Sequence, residues 1–219
     1  MTVLERFGEI KARMAKAARE AARDDGGAEL VAVTKTFGAE DILPVLEAGH
    51  RVFGENRVQE AEGKWPGLRD RFAGIELHLI GPLQSNKAAD AVALFDVIET
   101  VDREKIARAL KSEMDKQGRA VRLYVQVNTG LEPQKAGIAP DETANFVVFC
   151  RDNLGLSVEG LMCIPPADEN PGPHFALLRK LGRVCGVEKL SMGMSGDFET
   201  AIGFGATSVR VGSAIFGSR

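Results

Sequence analysis

Apolar residues recur at three- and four-residue steps near the start of the chain, at Leu4, Phe7, Ile10, Met14, Ala17 and Ala21. That spacing predicts an amphipathic helix over 3–23, ended by the Asp24-Asp25-Gly26-Gly27 turn. A different rhythm follows. Short apolar, often β-branched runs at 30–34, 51–53, 75–80, 96–99, 121–127, 156–162, 188–192 and 208–211 predict strands. Helical periodicity separates them at 39–48, 56–64, 86–95, 103–116, 141–151, 174–185 and 196–204, and a short helix closes the chain. The stretches 65–74 and 165–173 carry turn residues and are predicted as loops.

Alternating strands and helices require parallel strands joined by right-handed crossovers. Eight such units favour an α/β fold of the (β/α)8 TIM-barrel type over an open Rossmann-like sheet. No GxGxxG follows the first strand to support the open sheet. The expected organisation is a single domain over 1–219, with residues 1–25 as an extra N-terminal helix packed on the barrel.

Composition narrows the function mainly by exclusion. The chain has 28 basic and 31 acidic side chains and a formal charge of −3, which provides no basic field for nucleic acid or an anionic membrane. The three cysteines, Cys150, Cys163 and Cys185, have neither CxxC nor regular spacing, so a disulfide framework is not expected. His50, His78 and His174 lack metal-ligand spacing, so no metal site is expected. The first residues carry charge without an apolar stretch and no run reaches membrane length, so no leader is expected and the expected location is cytoplasmic.

Barrel chemistry gathers at the C-terminal ends of the strands. Lys35 ends the first strand, Asn56 follows the second, and Arg210, Gly212 and Ser213 end the eighth. A lysine ending an apolar strand needs either a salt-bridge partner or a task. Closure would set the first strand beside the eighth, so Lys35 would face Arg210 and the Gly212-Ser213 turn. Ser195 with Gly196, and Gly212 with Ser213, are each placed at a helix start after strands 7 and 8, where barrels often hold phosphate. Helix capping and a tight turn are the alternative roles for these residues.

Seven motifs in order carry a family resemblance over nearly the whole chain. They are Ala32-Val-Thr-Lys-Thr36, Phe53-Gly-Glu-Asn-Arg-Val-Gln-Glu60 and His78-Leu-Ile-Gly-Pro-Leu-Gln-Ser-Asn-Lys87. Next come Val127-Asn-Thr-Gly130 with Pro133-Gln-Lys-Ala-Gly137, then Gly160-Leu-Met-Cys-Ile-Pro165. Ser191-Met-Gly-Met-Ser195 and Val209-Arg-Val-Gly-Ser-Ala-Ile-Phe-Gly217 complete the set. Together they resemble the pyridoxal phosphate homeostasis protein family, which is similar to the barrel domain of alanine racemase.

The resemblance implies pyridoxal 5′-phosphate (PLP) as cofactor, held as a covalent aldimine on Lys35. It implies that Ser195 and the backbone of Gly212 and Ser213 hold the phosphate, that Arg210 faces the pyridine nitrogen, and that Asn56 lies beside the ring. Met192 and His78 are candidate pocket walls, with core packing as the alternative for both. Arg57, Leu77 and Gly38 depart from the family, where tyrosine, tryptophan and proline are common at these places.

Turnover is not expected. A guanidinium at the pyridine nitrogen leaves the ring a weak electron sink, because arginine does not readily give up a proton. The single tyrosine, Tyr124, lies early in its strand, and no second domain is expected after the barrel to supply another acid–base group. The expected role is a non-catalytic, monomeric carrier that buffers or delivers PLP, with PLP-dependent apo-enzymes as recipients and an influence on amino-acid and keto-acid pools. The alternatives are a minimal PLP-dependent racemase or lyase, and a sugar-phosphate enzyme using Lys35 as its Schiff-base lysine.

Overall fold

The computed structural model describes residues 1–23 and 27–217. Residues 24–26 of the turn expected after the first helix, and residues 218 and 219, lie outside the described residues.

Eight parallel strands pair in sequence order: β1 (Glu29–Val33), β2 (Val52–Glu55), β3 (Glu76–Leu79), β4 (Val97–Val101), β5 (Arg122–Val127), β6 (Val158–Cys163), β7 (Lys189–Ser191) and β8 (Ser208–Val211). β8 returns to β1, with Val31 opposite Arg210 and Ala32 opposite Val211, and this pairing closes the barrel. The expected (β/α)8 barrel is therefore present, with α1 (Val3–Glu20) as the extra N-terminal helix. Thr2 caps α1 in a reciprocal capping box with Glu5, and the helix buries Phe7, Ile10 and Met14. It packs against α2 (Ala39–Glu47), α9 (Phe198–Gly203) and α10 (Ser213–Phe216). Among the described residues, no helix is long and apolar enough to cross a membrane.

Strand alternation divides the core into two environments. Leu30, Ala32, Val209, Val211 and Leu190 point outward and join the large apolar layer beneath the helices. The inward positions include Val31, His78, Glu99, Tyr124, Ser191 and Arg210, and most of these are polar. Gly54 also faces inward. A Cβ there would meet Val31 Cγ1 at 2.9 Å and Ile80 Cδ1 at 3.0 Å, so the narrow interior excludes a side chain.

Several local expectations are corrected. The predicted loop 65–74 contains α4 (Trp65–Arg71), which begins with a proline in its first turn and buries Trp65 and Leu68 completely or nearly so. Its Pro66 and Gly67 look like turn residues in sequence, but the burial of Trp65 against Phe53 overrides them, with ring centroids 4.9 Å apart. The second predicted loop ends early, because Asn170 caps α8 (Pro171–Cys185). The expected helix 56–64 shortens to α3 (Val58–Glu62). The helix expected from 196 begins instead at Phe198, so Ser195 and Gly196 lie in the preceding loop rather than at a helix start.

Candidate functional site

The turn that carries Lys35 is built by buried charge. Thr34 donates its hydroxyl to Glu55 Oε1 at 2.5 Å, and Trp65 Nε1 donates to the same oxygen at 2.9 Å. Lys64 Nζ lies 2.8 Å from Glu55 Oε1 and donates to the carbonyls of Thr34 and Phe37 at 2.8 and 2.9 Å. The backbone N–H of Thr36 donates to Glu60. Between these anchors Thr36 adopts φ +68°, a left-handed conformation that is a true outlier for a β-branched residue. Strain of this kind costs about 1–3 kcal/mol and persists only where neighbours over-determine it. Lys35, just before this turn, is exposed at the barrel mouth, while Thr34 before it is fully buried.

Lys35 lines a cavity of about 400 Å³ at the C-terminal end of the strands, together with Asn56, Ser195, Arg210, Gly212 and Ser213. Val33, Ile80 and Ile164 supply apolar wall. Six of the eight predicted site residues are thus brought together. Gly81 lets the loop after β3 pass over Asn56, since a Cβ on Gly81 would lie 2.2 Å from the Asn56 carbonyl oxygen. On the opposite side, Gly193 turns the chain at φ +93°, and the Ser195 and Ser213 hydroxyls come within 3.3 Å of each other. Gly212 lies so close to β1 that a Cβ would meet Val33 at 3.1 Å.

Arg210 rises from the barrel interior to the cavity floor and is 4% exposed. Its Nη1 donates to Ser191 Oγ at 2.6 Å and its Nη2 to the Cys163 carbonyl at 2.8 Å. The guanidinium is fixed rather than free to swing.

His78 and Met192 do not line this cavity. Met192 is fully buried in the outer apolar layer, because its neighbour Ser191 takes the inward direction. His78 is inward but lies deeper, with Nδ1 2.6 Å from Glu99 Oε1 and Nε2 2.8 Å from Glu76 Oε1. Burial by itself lowers the His78 pKa, but the hydrogen bonds to Glu76 and Glu99 outweigh it and raise the value to about 9. Both ring nitrogens then donate, and His78 is an imidazolium at neutral pH. Cys163 is buried and its thiol is pushed up to about 12 by that burial, which makes it an inert wall rather than a nucleophile. Tyr124 is buried inside the barrel, away from the cavity, with its phenol raised chiefly by burial.

The His78 proton makes a prediction about stability. Its folded pKa of about 9 exceeds the ordinary 6.5, so its contribution is complete below pH 6.5 and is lost as pH rises through 9. His50, packed between Phe7 and Phe53, has the opposite sign. Burial lowers its pKa to about 4, so it costs stability as pH falls below 6.5. The difference in urea-unfolding free energy between wild type and His78→Gln is therefore expected to shrink between pH 6.5 and 9, by on the order of 2–3 kcal/mol. A difference that stays constant over that range would show that His78 is neutral in the folded barrel.

Four contributors went unrecognised in the sequence: Glu55, Lys64, Glu99 and Ser191. Two of them had left a signal. Glu55 and Glu99 are carboxylates inside apolar strand runs, where an unpaired charge is too costly to keep. Larger depressions exist, including one of about 650 Å³ at the opposite mouth, but there Arg122 and Glu76 are already paired with each other at 2.6 Å. Among the described residues, no cluster of side chains suits a metal ion.

Comparison with known proteins gives the family. Residues 7–219 match the family described as alanine racemase, N-terminal domain. A pyridoxal phosphate homeostasis protein of Pseudomonas aeruginosa is 40% identical over 223 residues, covering 100% of this chain and 96% of the relative. The solved structure of PipY from Synechococcus elongatus with PLP bound superposes with a TM-score of 0.85 at 33% identity, over 99% of this chain and 100% of that one. A crystal structure from Bifidobacterium adolescentis gives a TM-score of 0.91 at 32% identity, over 97% and 94% of the two chains. With relatives this similar along their full lengths and the barrel of the racemase domain closed as described, the chain belongs to the alanine racemase N-terminal domain family and, within it, to the pyridoxal phosphate homeostasis proteins.

Proposed function

We propose that the chain binds PLP covalently through Lys35 and serves PLP homeostasis, storing the cofactor and handing it to enzymes that need it, without turnover of its own. The observation that carries this reading is the content of the cavity. One amine, two neighbouring hydroxyls and one fixed guanidinium share about 400 Å³ with apolar walls. That donor set suits a molecule bearing an aldehyde, a phosphate and a flat ring with a basic nitrogen.

The roles follow from chemistry. PLP supplies an electrophilic aldehyde and an electron-accepting ring when bound. Lys35, the one amine lining the cavity, would hold the aldehyde carbon. Ser195 and Ser213 would hold the phosphate, and the absence of a side chain at Gly212 lets the turn that carries Ser213 pack directly on Val33 of β1. Asn56, Ile80 and Ile164 would flank the ring. Arg210, a permanent donor fixed at the cavity floor, would face the pyridine nitrogen and favour its unprotonated form, which would make the ring a poor sink. Among the residues lining the cavity, Lys35 and Arg210 alone carry ionisable side chains, and a guanidinium is a poor proton shuttle. Two-sided proton exchange, which racemisation requires, has one usable base here.

Replacing both Ser195 and Ser213 with alanine is expected to weaken PLP binding by roughly 10- to 100-fold, from loss of hydrogen bonds to a charged group. Affinity for pyridoxal, which lacks the phosphate, should not change. Equal losses for both ligands, measured by absorbance titration, would place the phosphate elsewhere. Turnover is tested by incubating the PLP-loaded protein with amino acids and following optical rotation. The expected rate does not exceed that of free PLP, and a rate well above it would overturn the carrier reading.

A further inference from the structure

The charged interior of this barrel is unusual for its fold. Barrels of this kind usually fill their centre with layers of branched apolar side chains. A buried ion pair is often no more stable than a well-packed apolar substitute, because each charge loses several kcal/mol of solvation. Here the interior nonetheless holds a continuous chain of polar contacts from one mouth to the other. Arg122 pairs with Glu76 at 2.6 Å, and Glu76 meets His78 at 2.8 Å. His78 meets Glu99 at 2.6 Å, Ser191 donates to Glu99 Oε2 at 2.5 Å, and Arg210 donates to Ser191 at 2.6 Å. Charges alternate along the chain, positive, negative, positive, negative, positive, with the neutral serine hydroxyl as the final link. His78, Glu99, Ser191 and Arg210 are all at most 4% exposed.

The direction of each hydrogen bond is forced. Arginine has no acceptor, so Ser191 Oγ must accept from Arg210. The serine proton is then left for Glu99, which must present a free lone pair there. Glu99 can do so because His78 donates to its other oxygen and holds it as a carboxylate, well below the usual carboxylate range despite burial. Glu99 itself lies 3.9 Å from Arg210 Nη1, too far for a direct hydrogen bond. Glu99 therefore acts on Arg210 in two ways: by charge across 3.9 Å, and through the serine, whose oxygen becomes a stronger acceptor when its proton is drawn to a carboxylate.

We infer that Glu99 is a positioning residue for the cofactor site. Acting through Ser191, and held in place by His78 and Glu76, it fixes the plane of the Arg210 guanidinium at the cavity floor. The inference rests on the reading of this cavity as a PLP site for its consequence, but not for its geometry. A guanidinium fixed in advance presents its remaining N–H groups to the ligand at no reorganisation cost, which slows ligand release. Without the relay Arg210 keeps its bond to the Cys163 carbonyl and can rotate about it.

The test has two arms. In the first, rotation of the Arg210 guanidinium is measured by NMR in the protein without PLP, for wild type, Ser191→Ala and Glu99→Gln. Slow rotation in wild type, with release to fast rotation in both variants, is expected. Slow rotation retained in Ser191→Ala overturns the relay whatever the cavity binds. Ser191→Ala removes one hydroxyl and no charge, so this arm stands even if Glu99→Gln fails to fold. In the second arm, PLP release from the loaded protein is followed by transfer to an excess of a PLP-trapping amine. Release at least roughly tenfold faster in Ser191→Ala than in wild type is expected from loss of a charge-assisted hydrogen bond. Unchanged release, with rotation freed in the first arm, overturns the claim that a fixed Arg210 retains the cofactor. A wild-type protein that takes up no PLP refutes the cofactor reading alone and leaves the first arm to decide the relay.

Discussion

Lys35→Ala is expected to remove the visible absorbance band that PLP gives with the wild-type protein, while leaving the fold intact. Lys35 supplies the one amine lining the cavity. Lys64, whose amine also contacts the Thr34 carbonyl, is held by Glu55 and by the carbonyls of Thr34 and Phe37, so it cannot turn toward a ligand without abandoning a buried carboxylate. Lys35 itself is exposed, and exposed substitutions away from special contacts usually change stability by less than about 0.5 kcal/mol. The variant should retain weaker, non-covalent affinity for PLP through Ser195, Ser213 and Arg210. Spectral titration with PLP, with thermal unfolding as the control for folding, checks both parts. A band of undiminished strength in Lys35→Ala would remove Lys35 from the site.

The second large effect belongs to Lys64→Ala. Lys64 is 7% exposed at its side chain and Glu55 is fully buried. Burial pushes the Glu55 carboxyl up, and Lys64, Thr34 and Trp65 only partly offset that. Its second oxygen, Oε2, has no hydrogen-bond partner among the described residues. Removing the lysine leaves this group with an uncompensated charge or forces it to take up a proton. The expected loss is about 3 kcal/mol, or roughly 6–12 °C in Tm for a chain of this size. The loss should be smaller when Glu55→Gln is introduced together with Lys64→Ala, since no charge is then stranded. Two of the anchors of the Thr36 turn also disappear, so covalent attachment of PLP at Lys35 should slow even where the protein remains folded. Calorimetry of the two single variants and the double variant checks the coupling. A fall in Tm of less than about 2 °C in Lys64→Ala would mean that the buried pair contributes little.

The alternation of strands and helices was legible because it depends on local periodicity. Each strand of the closed barrel overlaps an expected apolar run, from the Leu30-Val-Ala-Val33 segment of β1 to β8. What local pattern could not show was packing between elements. The segment at 65–74 carries Pro66 and Gly67, and only the burial of Trp65 under Phe53 makes it helical. Ser195 looked like a helix start, yet the helix begins at Phe198 because Gly193 at φ +93° must first turn the chain.

For the site, residues at strand ends were legible and residues within the barrel were not. Lys35, Arg210, Gly212 and Ser213 follow from the closure of β1 on β8. His78 and Met192 were drawn toward the cavity by their motifs, but whether a strand residue faces in or out, and at what depth, depends on register. Register puts Met192 among the outer apolar side chains and His78 between two carboxylates. Glu99 belongs with them, and only its charge within Val97-Ile-Glu-Thr-Val101 marked it in the sequence.

The central claim is that Lys35 carries PLP, and it is tested most directly by fixing the attached cofactor chemically. Wild-type protein is mixed with one equivalent of PLP, reduced with borohydride, digested, and its peptides weighed by mass spectrometry. The account predicts a single modified peptide, the one containing Lys35. Modification at Lys64, Lys87 or Lys135 in its place, or an unmodified protein, would contradict it.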